Sequence, residues 1–268
     1  MAGAEEQKQK GKQKGTFWHA ALKTPTLKLS LGEVLPLSPT IPAMARTART
    51  IAPGLPYHIT QRGTNRQKVF FSVADRALYL QLIRENLKDT GVRIFAYCLM
   101  TNHVHLVAVP DRADSLAVLF GRVNGRYAQA VNIRRGRSGH LWQARYDSCP
   151  MSERHFWIAL RYVEANPCRA GLVVRPGHYR YSSAAAHLLG TPDRSSILDM
   201  DFWARSGGTQ TWTEMHAAES SPEELVALRK CTYAGRPFGD DSFVAEMETL
   251  FHRKWRRGHG DFVAQIAV

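Results

Sequence analysis

The order of hydrophobic periodicities between residues 55 and 190 is the feature that most constrains the fold. Some segments alternate apolar and polar residues as strands do, and longer segments repeat apolar residues at helical spacing. Gly91 and Pro167 favour helix ends. In chain order, the sequence predicts a strand at 56–61, a helix at 73–90, strands at 92–99 and 103–109, a helix at 115–133, a strand at 141–148 and a helix at 152–165.

This order predicts an α+β fold, a ferredoxin-like antiparallel sheet with helices on one face, followed by one further helix. The flanking segments differ from this core. Residues 1–43 interleave Lys with Gln and Gly and then scatter Pro, Ser and Thr, which predicts a disordered basic tail. Residues 191–268 predict a small helical C-terminal extension, with helices at 222–230 and 242–255. The predicted central domain is therefore 44–190.

The 268-residue chain carries a large positive charge. Its 36 Lys and Arg outnumber 23 Asp and Glu, which gives a formal net charge of +13. Residues 121–180 alone contain 11 Arg, no Lys and three acids, so this segment contributes +8. Because Arg can bind a phosphate through two parallel hydrogen bonds, we expect a nucleic-acid partner. No run reaches about 18 consecutive apolar residues, so we expect no membrane-spanning helix and no membrane partner.

The four cysteines are too widely spaced to form a Cys-x-x-Cys pair. Their spacing excludes a zinc ribbon and a dithiol redox motif. Cys98 and Cys149 fall in apolar or strand-like runs, where a reduced and buried thiol is the ordinary state. A reducing cytoplasm is the expected location.

Two pairs of side chains have the spacing needed for chemistry. His103 and His105 are two residues apart in a predicted strand, so both rings point to one face and can bind one cation. Tyr162 and Asn166 are one helical turn apart, so a phenol and a carboxamide project from one face. A phenol can act as a nucleophile and an amide oxygen as a metal ligand. A purely structural interpretation is also open: the two histidines would bind no ligand, Tyr162 would be a core residue, and Asn166 would only end the helix.

Four motifs together resemble those of the REP-associated tyrosine transposases, which are relatives of the single-tyrosine, IS200-like transposases. The motifs are 57–63 (YHITQRG), 100–105 (MTNHVH), 141–143 (LWQ) and 162–167 (YVEANP). The resemblance covers 44–190 and implies that this segment is a transposase-like catalytic domain in a bacterial cytoplasm. It also implies that His103 and His105 bind a divalent metal ion, that Tyr162 is the nucleophile, and that Asn166 is the third metal ligand.

Two other tyrosines are rival nucleophiles. Tyr127 follows the histidine pair on the second helix, but it lies within the apolar stripe of that helix, and Tyr146 lies on a predicted strand. His58, on the first strand, is assigned a structural role. The predicted DNA-binding side chains are mostly basic and lie around the four motifs; they are Arg62, Asn65, Arg66, Arg122, Arg126, Arg134, Arg135 and Arg137.

The resemblance implies a metal-dependent endonuclease that cleaves and rejoins single-stranded DNA at hairpin-forming repeats through a 5′-phosphotyrosine intermediate. The implied cofactor is Mg²⁺ or Mn²⁺, and the protein is expected to act as a monomer or a homodimer. The main alternative is a catalytically silent binder of structured DNA or RNA. A relaxase or replication initiator is the nearest enzymatic rival. A metallohydrolase barrel is disfavoured because the chain lacks eight strand–helix units.

Overall fold

The computed structural model describes residues 51–218 and 220–255. The predicted tail, 1–43, lies outside these residues. The strands are β1 (Tyr57–Arg62), β2 (Val92–Leu99), β3 (His103–Pro110) and β4 (Asp147–Pro150). The α-helices are α1 (Val73–Thr90), α2 (Ser115–Arg134), α3 (Glu153–Glu164), α4 (Asn166–Arg169), α5 (Ala184–Leu189), α6 (Met200–Arg205), α7 (Gly208–Ala217), α8 (Pro222–Ala234) and α9 (Asp241–Leu250). Short 3₁₀ turns occupy Thr64–Arg66 and Pro176–His178.

The four strands form one antiparallel sheet in the order β2-β3-β1-β4. β2 and β3 are a hairpin, and β1 lies between β3 and β4 although it comes first in the chain. The chain order of strands and helices through β4 is that of the ferredoxin-like arrangement. The predicted α+β class and antiparallel sheet are therefore confirmed.

Local signals fix both ends of α1. Ser72 accepts from the backbone of Asp75, and the Asp75 carboxylate accepts from the backbone of Ser72, which is a reciprocal cap of the first turn. Gly91 ends the helix with a φ of 60°, a left-handed conformation that glycine adopts without strain. A side chain at Gly91 would also collide with the carboxylate of Asp111. The predicted helix at 73–90 therefore has the bounds that its caps dictate.

The two faces of the sheet have different roles. Tyr57 and Ile59 of β1 point into the hydrophobic core that α1 and α2 cover. Because neighbouring residues of a strand point to opposite faces, His58 and Thr60 point the other way. Helix α3 packs against β1, β2 and β3 on that second face. Helices α1 and α2 thus lie on one face of the sheet, as expected, and α3 lies on the opposite face.

The strand predicted at 141–148 is wrong over most of its length, since β4 begins at Asp147. Residues 141–143 instead cross the end of β1. The amide of Thr64 donates to the carbonyl of Leu141 (3.0 Å), and the amide of Gln143 donates to that of Arg62 (2.9 Å). Leu141 and Tyr146 are buried in the core, but residues 143–145 between them are exposed, so burial does not follow the alternation of a strand.

The C-terminal helices differ in length from the predictions. Helix α8 continues to Ala234, beyond the predicted end at 230, and α9 ends at Leu250, short of 255. Helices α5, α6 and α7 were not predicted, because 6 to 10 residues give too little periodicity to recognise. Helices α7 and α8 both contact α3, and α8 also contacts β1 and β4.

The cysteines and the lengths of the helices bear on two further predictions. Cys98 and Cys149 are buried free thiols, as predicted, and Cys168 and Cys231 are partly buried free thiols. Among the described helices, none combines the length and the apolarity required to cross a membrane.

Candidate active site

Two histidine rings of β3 lie on the sheet face that α3 covers. The rings of His103 and His105 meet edge to face, with 4.8 Å between centroids. Nδ1 of His103 lies 2.6 Å from the side-chain oxygen of Asn102, and Nδ1 of His105 lies 3.1 Å from Nε2 of His58. Each Nδ1 is therefore engaged in a hydrogen bond, which leaves Nε2 as the nitrogen available to a ligand.

A chain of hydrogen bonds behind His105 sets which of its nitrogens carries the proton. Thr232 of α8 donates its hydroxyl proton to the carbonyl of Leu228 (2.7 Å), so it accepts from Nδ1 of His58 (2.7 Å). Nε2 of neutral His58 then carries no proton and accepts from Nδ1 of His105. This ordering leaves a lone pair on Nε2 of His105, which is the tautomer that a metal ligand requires.

The three histidines of this region are held neutral. Burial, reinforced by the charge of Arg169, lowers the pKa of His58 to about 3. Burial and the charge of Arg62 lower the pKa of His103 to about 4. Burial and the neighbouring His103 and His58 rings hold the pKa of His105 well below its usual range. Near neutral pH all three are therefore uncharged imidazoles, the form that can bind a metal ion.

We expect the fold to lose stability on mild acidification because of these rings. The unfolded chain binds a proton at His58 below pH 6.5, whereas the folded chain does so only near pH 3. Stability from this group is therefore complete above pH 6.5 and falls by about 1.4 kcal/mol per pH unit below it. Urea unfolding at pH 7.5, 6.5, 5.5 and 4.5 should show a shallower dependence for His58→Gln than for the wild type. Equal slopes in the two proteins would contradict the buried neutral state.

Helix α3 brings Tyr162 onto the same sheet face. Phe156, Leu160 and Val163 form a buried stripe that docks the helix, and Tyr162 is 5% exposed. The Tyr162 ring meets the rings of both His58 and His105 edge to face, at 5.5 Å between centroids in each case. The phenol and the predicted metal-binding face of the sheet therefore adjoin.

Two arginines surround the Tyr162 side chain. The guanidinium of Arg169 lies over the ring, 4.2 Å from its centroid, and also donates to the Tyr162 carbonyl. Nε of Arg229, from α8, donates to the phenolic oxygen at 3.3 Å. Negative charge on that oxygen, or on a phosphate beside it, would be stabilised by both cations.

Asn166 begins α4, after a break at Ala165 that accommodates Pro167 in the first turn. Its Nδ2 is buried and has no hydrogen-bond partner among residues 51–218 and 220–255. No hydrogen bond from that nitrogen therefore fixes the amide to another group. No group of three His, Cys, Asp or Glu in this part of the chain could hold a metal ion. Two neutral imidazoles and one amide oxygen are nevertheless a donor set that fits Mn²⁺ or Mg²⁺, with open positions for phosphate oxygens and water.

Three of the predicted DNA-binding residues lie at the end of β1. Arg62 pairs with His103 across the sheet, and its Nη2 donates to the hydroxyl of Tyr233 at 3.1 Å. Asn65 and Arg66 are exposed and adopt positive φ in the turn that follows. These three residues border the face that carries the histidines.

The other five predicted residues lie on or just after α2, on the far side of the sheet from the histidines. Three are already paired with carboxylates, at 2.7 to 3.7 Å, and the remaining two contact neutral side chains. The pairs are Arg122 with Asp89, Arg126 with Glu85, Arg134 with Asp75, Arg135 over the Phe71 ring, and Arg137 with Gln67. The pairs of Arg122 and Arg126 are exposed and therefore weak, so they compete little with a polyanion, whereas Arg134 is held by the buried carboxylate of Asp75.

The rival tyrosines are core residues. Tyr127 is fully buried and donates to the carbonyl of Val69 at 2.7 Å, and burial raises its pKa far above the usual range. Tyr146 is 4% exposed and packs against Phe120. Neither ring lies on the histidine face, because both belong to the core under α1 and α2.

Three residues of this site are not identified by the sequence analysis. Arg169 follows Tyr162 by seven residues, but Pro167 ends the predicted helix between them, so helical spacing does not connect the two. Arg229 and Thr232 come from α8, far along the chain, and no local pattern connects them to the histidine or tyrosine motifs.

Residues 52–166 match the model of the family described as transposase IS200 like. No curated protein matches the chain significantly. A solved structure of a REP-associated tyrosine transposase bound to a REP hairpin is 17% identical, with a TM-score of 0.47; 55% of this chain and 86% of that one are covered. A crystal structure assigned to a transposase of Deinococcus radiodurans R1 is 23% identical, with a TM-score of 0.32; 45% of this chain and 96% of that one are covered. The similarity of this chain to the IS200-like transposase family thus extends over residues 52–166.

Proposed function

We propose that this protein is a metal-dependent endonuclease that cleaves and rejoins single-stranded DNA at hairpin-forming repeats. The observation that carries the proposal is the contact of the Tyr162 ring with His105 on one sheet face, with Arg169 and Arg229 beside the phenol. A nucleophile, two neutral imidazoles and two cations adjoin there. This combination serves a reaction in which negative charge develops on phosphate oxygens.

Tyr162 and the two arginines would each have a distinct part in the reaction. Tyr162 Oη attacks the phosphorus of a phosphodiester, the bond from phosphorus to the 3′ oxygen breaks, and the phenolic proton ends on the released 3′-hydroxyl. The 5′ phosphate is then joined to Tyr162. Arg229 and Arg169 stabilise the negative charge during attack, because their guanidinium groups already lie at the phenol. Attack by another 3′-hydroxyl on the same phosphorus rejoins the strand and frees Tyr162, so no external energy source is consumed.

The metal ligands would be His103, His105 and Asn166. A divalent ion bound there would polarise the scissile phosphate and neutralise charge that develops on it. The chain's own contribution is orientation. The hydrogen bonds to Asn102 and His58 hold each ring with Nε2 available, and burial keeps both rings neutral.

The test is covalent capture of DNA. The full chain is incubated with hairpin oligonucleotides that carry short single-stranded 5′ flanks, in Mn²⁺ or in EDTA. We expect a denaturation-resistant protein–DNA adduct in Mn²⁺ only, and mass spectrometry should place the 5′ phosphate on Tyr162. Tight hairpin binding with no adduct in either condition would instead identify a catalytically silent binder of structured nucleic acid.

A further inference from the structure

An open cavity lies along the outer side of α8, next to the candidate active site. Its volume is about 620 Å³, within the range of roughly 300–1,000 Å³ that is typical of small-ligand sites. Residues three and four apart on the helix supply its walls, as one helical stripe does. The lining residues are Val226, Arg229, Lys230, Tyr233 and Ala234, and we call this cavity the α8 groove.

The chemistry of the α8 groove is cationic and aromatic. Its lining contains two cations and no carboxylate, and within residues 51–218 and 220–255 neither Arg229 nor Lys230 forms an ion pair with an acid. Tyr233 is 53% exposed, and within residues 51–218 and 220–255 it is the one aromatic side chain among the exposed large hydrophobic residues. Its hydroxyl accepts from Arg62 at 3.1 Å, and this contact holds the exposed ring beside the last residue of β1.

The groove adjoins the proposed nucleophile. Arg229 lines it and also donates to the hydroxyl of Tyr162 at 3.3 Å. One side chain therefore belongs both to the groove wall and to the surroundings of the phenol. A strand whose scissile phosphate reaches Tyr162 has its neighbouring nucleotides within reach of this groove.

We propose that the α8 groove binds the unpaired nucleotides next to the scissile phosphate, with a base stacked on Tyr233 and phosphates at Arg229 and Lys230. This inference rests on the proposed function. An exposed aromatic ring next to cations that are not paired with an acid is the arrangement that binds single-stranded nucleic acid without sequence preference. The C-terminal extension thereby becomes part of the DNA-binding surface, on the same side of the sheet as Tyr162.

The experiment measures binding of two labelled hairpins to the full chain in EDTA, by fluorescence anisotropy over a range of salt concentrations. One hairpin carries a four-nucleotide 5′ flank and the other is blunt. Tyr233→Ala should weaken binding of the flanked hairpin by about tenfold or more, and Tyr233→Phe much less, because the ring supplies the stacking. Lys230→Gln should reduce the salt dependence by about one phosphate contact. Neither change should alter binding of the blunt hairpin.

Lys88→Gln is the matched control, since Lys88 is an exposed helical lysine on α1. It should leave both hairpins unaffected. The groove proposal is overturned if Tyr233→Ala and Lys230→Gln bind the flanked hairpin as the wild type does, or if Lys88→Gln weakens it equally. It is also overturned if the wild type binds both hairpins equally well. If the wild type binds neither hairpin, the proposed function fails together with the groove.

Discussion

Replacement of Tyr162 by Phe is expected to abolish the covalent protein–DNA adduct while leaving the fold and hairpin binding almost intact. The change removes one oxygen atom, which is the proposed attacking group. The hydroxyl has one hydrogen bond, from Arg229 at 3.3 Å, so its loss should cost only about 0.5–1.5 kcal/mol of stability. Adduct formation in Mn²⁺, followed on denaturing gels, is the measurement.

Tyr127→Phe provides the control for this result. Tyr127 also loses a hydroxyl and a hydrogen bond, to the carbonyl of Val69, but its ring lies in the core under α1 and α2. We expect a modest loss of stability and an adduct yield close to that of the wild type. An adduct that survives in Tyr162→Phe and disappears in Tyr127→Phe would reverse the assignment of the nucleophile.

Replacement of Glu164 by Ala is expected to cost about 3–5 kcal/mol of folding free energy. Glu164 is fully buried, and its carboxylate accepts from His187 Nδ1 (2.5 Å), Ser183 Oγ (2.5 Å) and His216 Nε2 (2.8 Å). These partners belong to or adjoin α5 and α7, so one carboxylate ties α3 to both segments. Its removal leaves buried polar groups without a partner. Urea unfolding at pH 7 is the measurement.

Glu164→Gln keeps an acceptor oxygen and should cost less than Glu164→Ala, and Glu85→Ala, which removes an exposed partner of Arg126, should cost under about 1 kcal/mol. Burial alone would raise the pKa of Glu164, but the interactions with His187 and His216 outweigh it and lower the pKa to about 2. Stability from this carboxylate is therefore complete above pH 4.5 and is lost as the pH falls toward 2. Equal costs for Glu164→Ala and Glu85→Ala would contradict the buried network.

The sheet and its two core helices could be predicted from the sequence because their signals are local. Gly91 stops α1, the hairpin of β2 and β3 needs only a short turn, and the periodicity of α2 extends over about five turns. The strand at 141–148 failed for the same reason. Its apolar and polar residues alternate in the sequence, but residues 143–145 are all exposed and residues 141–143 cross the end of β1.

Parts of the candidate site could be predicted only where the residues share an element. The spacing of His103 and His105 on one strand indicates a common face, and the structure places Tyr162 on that same face. The partners of His58 and Tyr162 on α8 could not be found in this way. Nothing in the local sequence around Thr232 or Arg229 indicates which residue of the sheet or of α3 it meets, because long-range packing decides that.

The hydrogen-bond chain from Thr232 to His105 bears on how this domain can be shortened or transplanted. The family-matched portion, 52–166, contains His58, Tyr162 and Glu164, yet each of them draws a polar partner from beyond Gly190. In a polypeptide that stopped at Gly190, the imidazole of His58, the phenol of Tyr162 and the carboxylate of Glu164 would all lack those partners. A shortened form of this domain therefore has to retain α7 and α8, or replace all three inward-facing groups together.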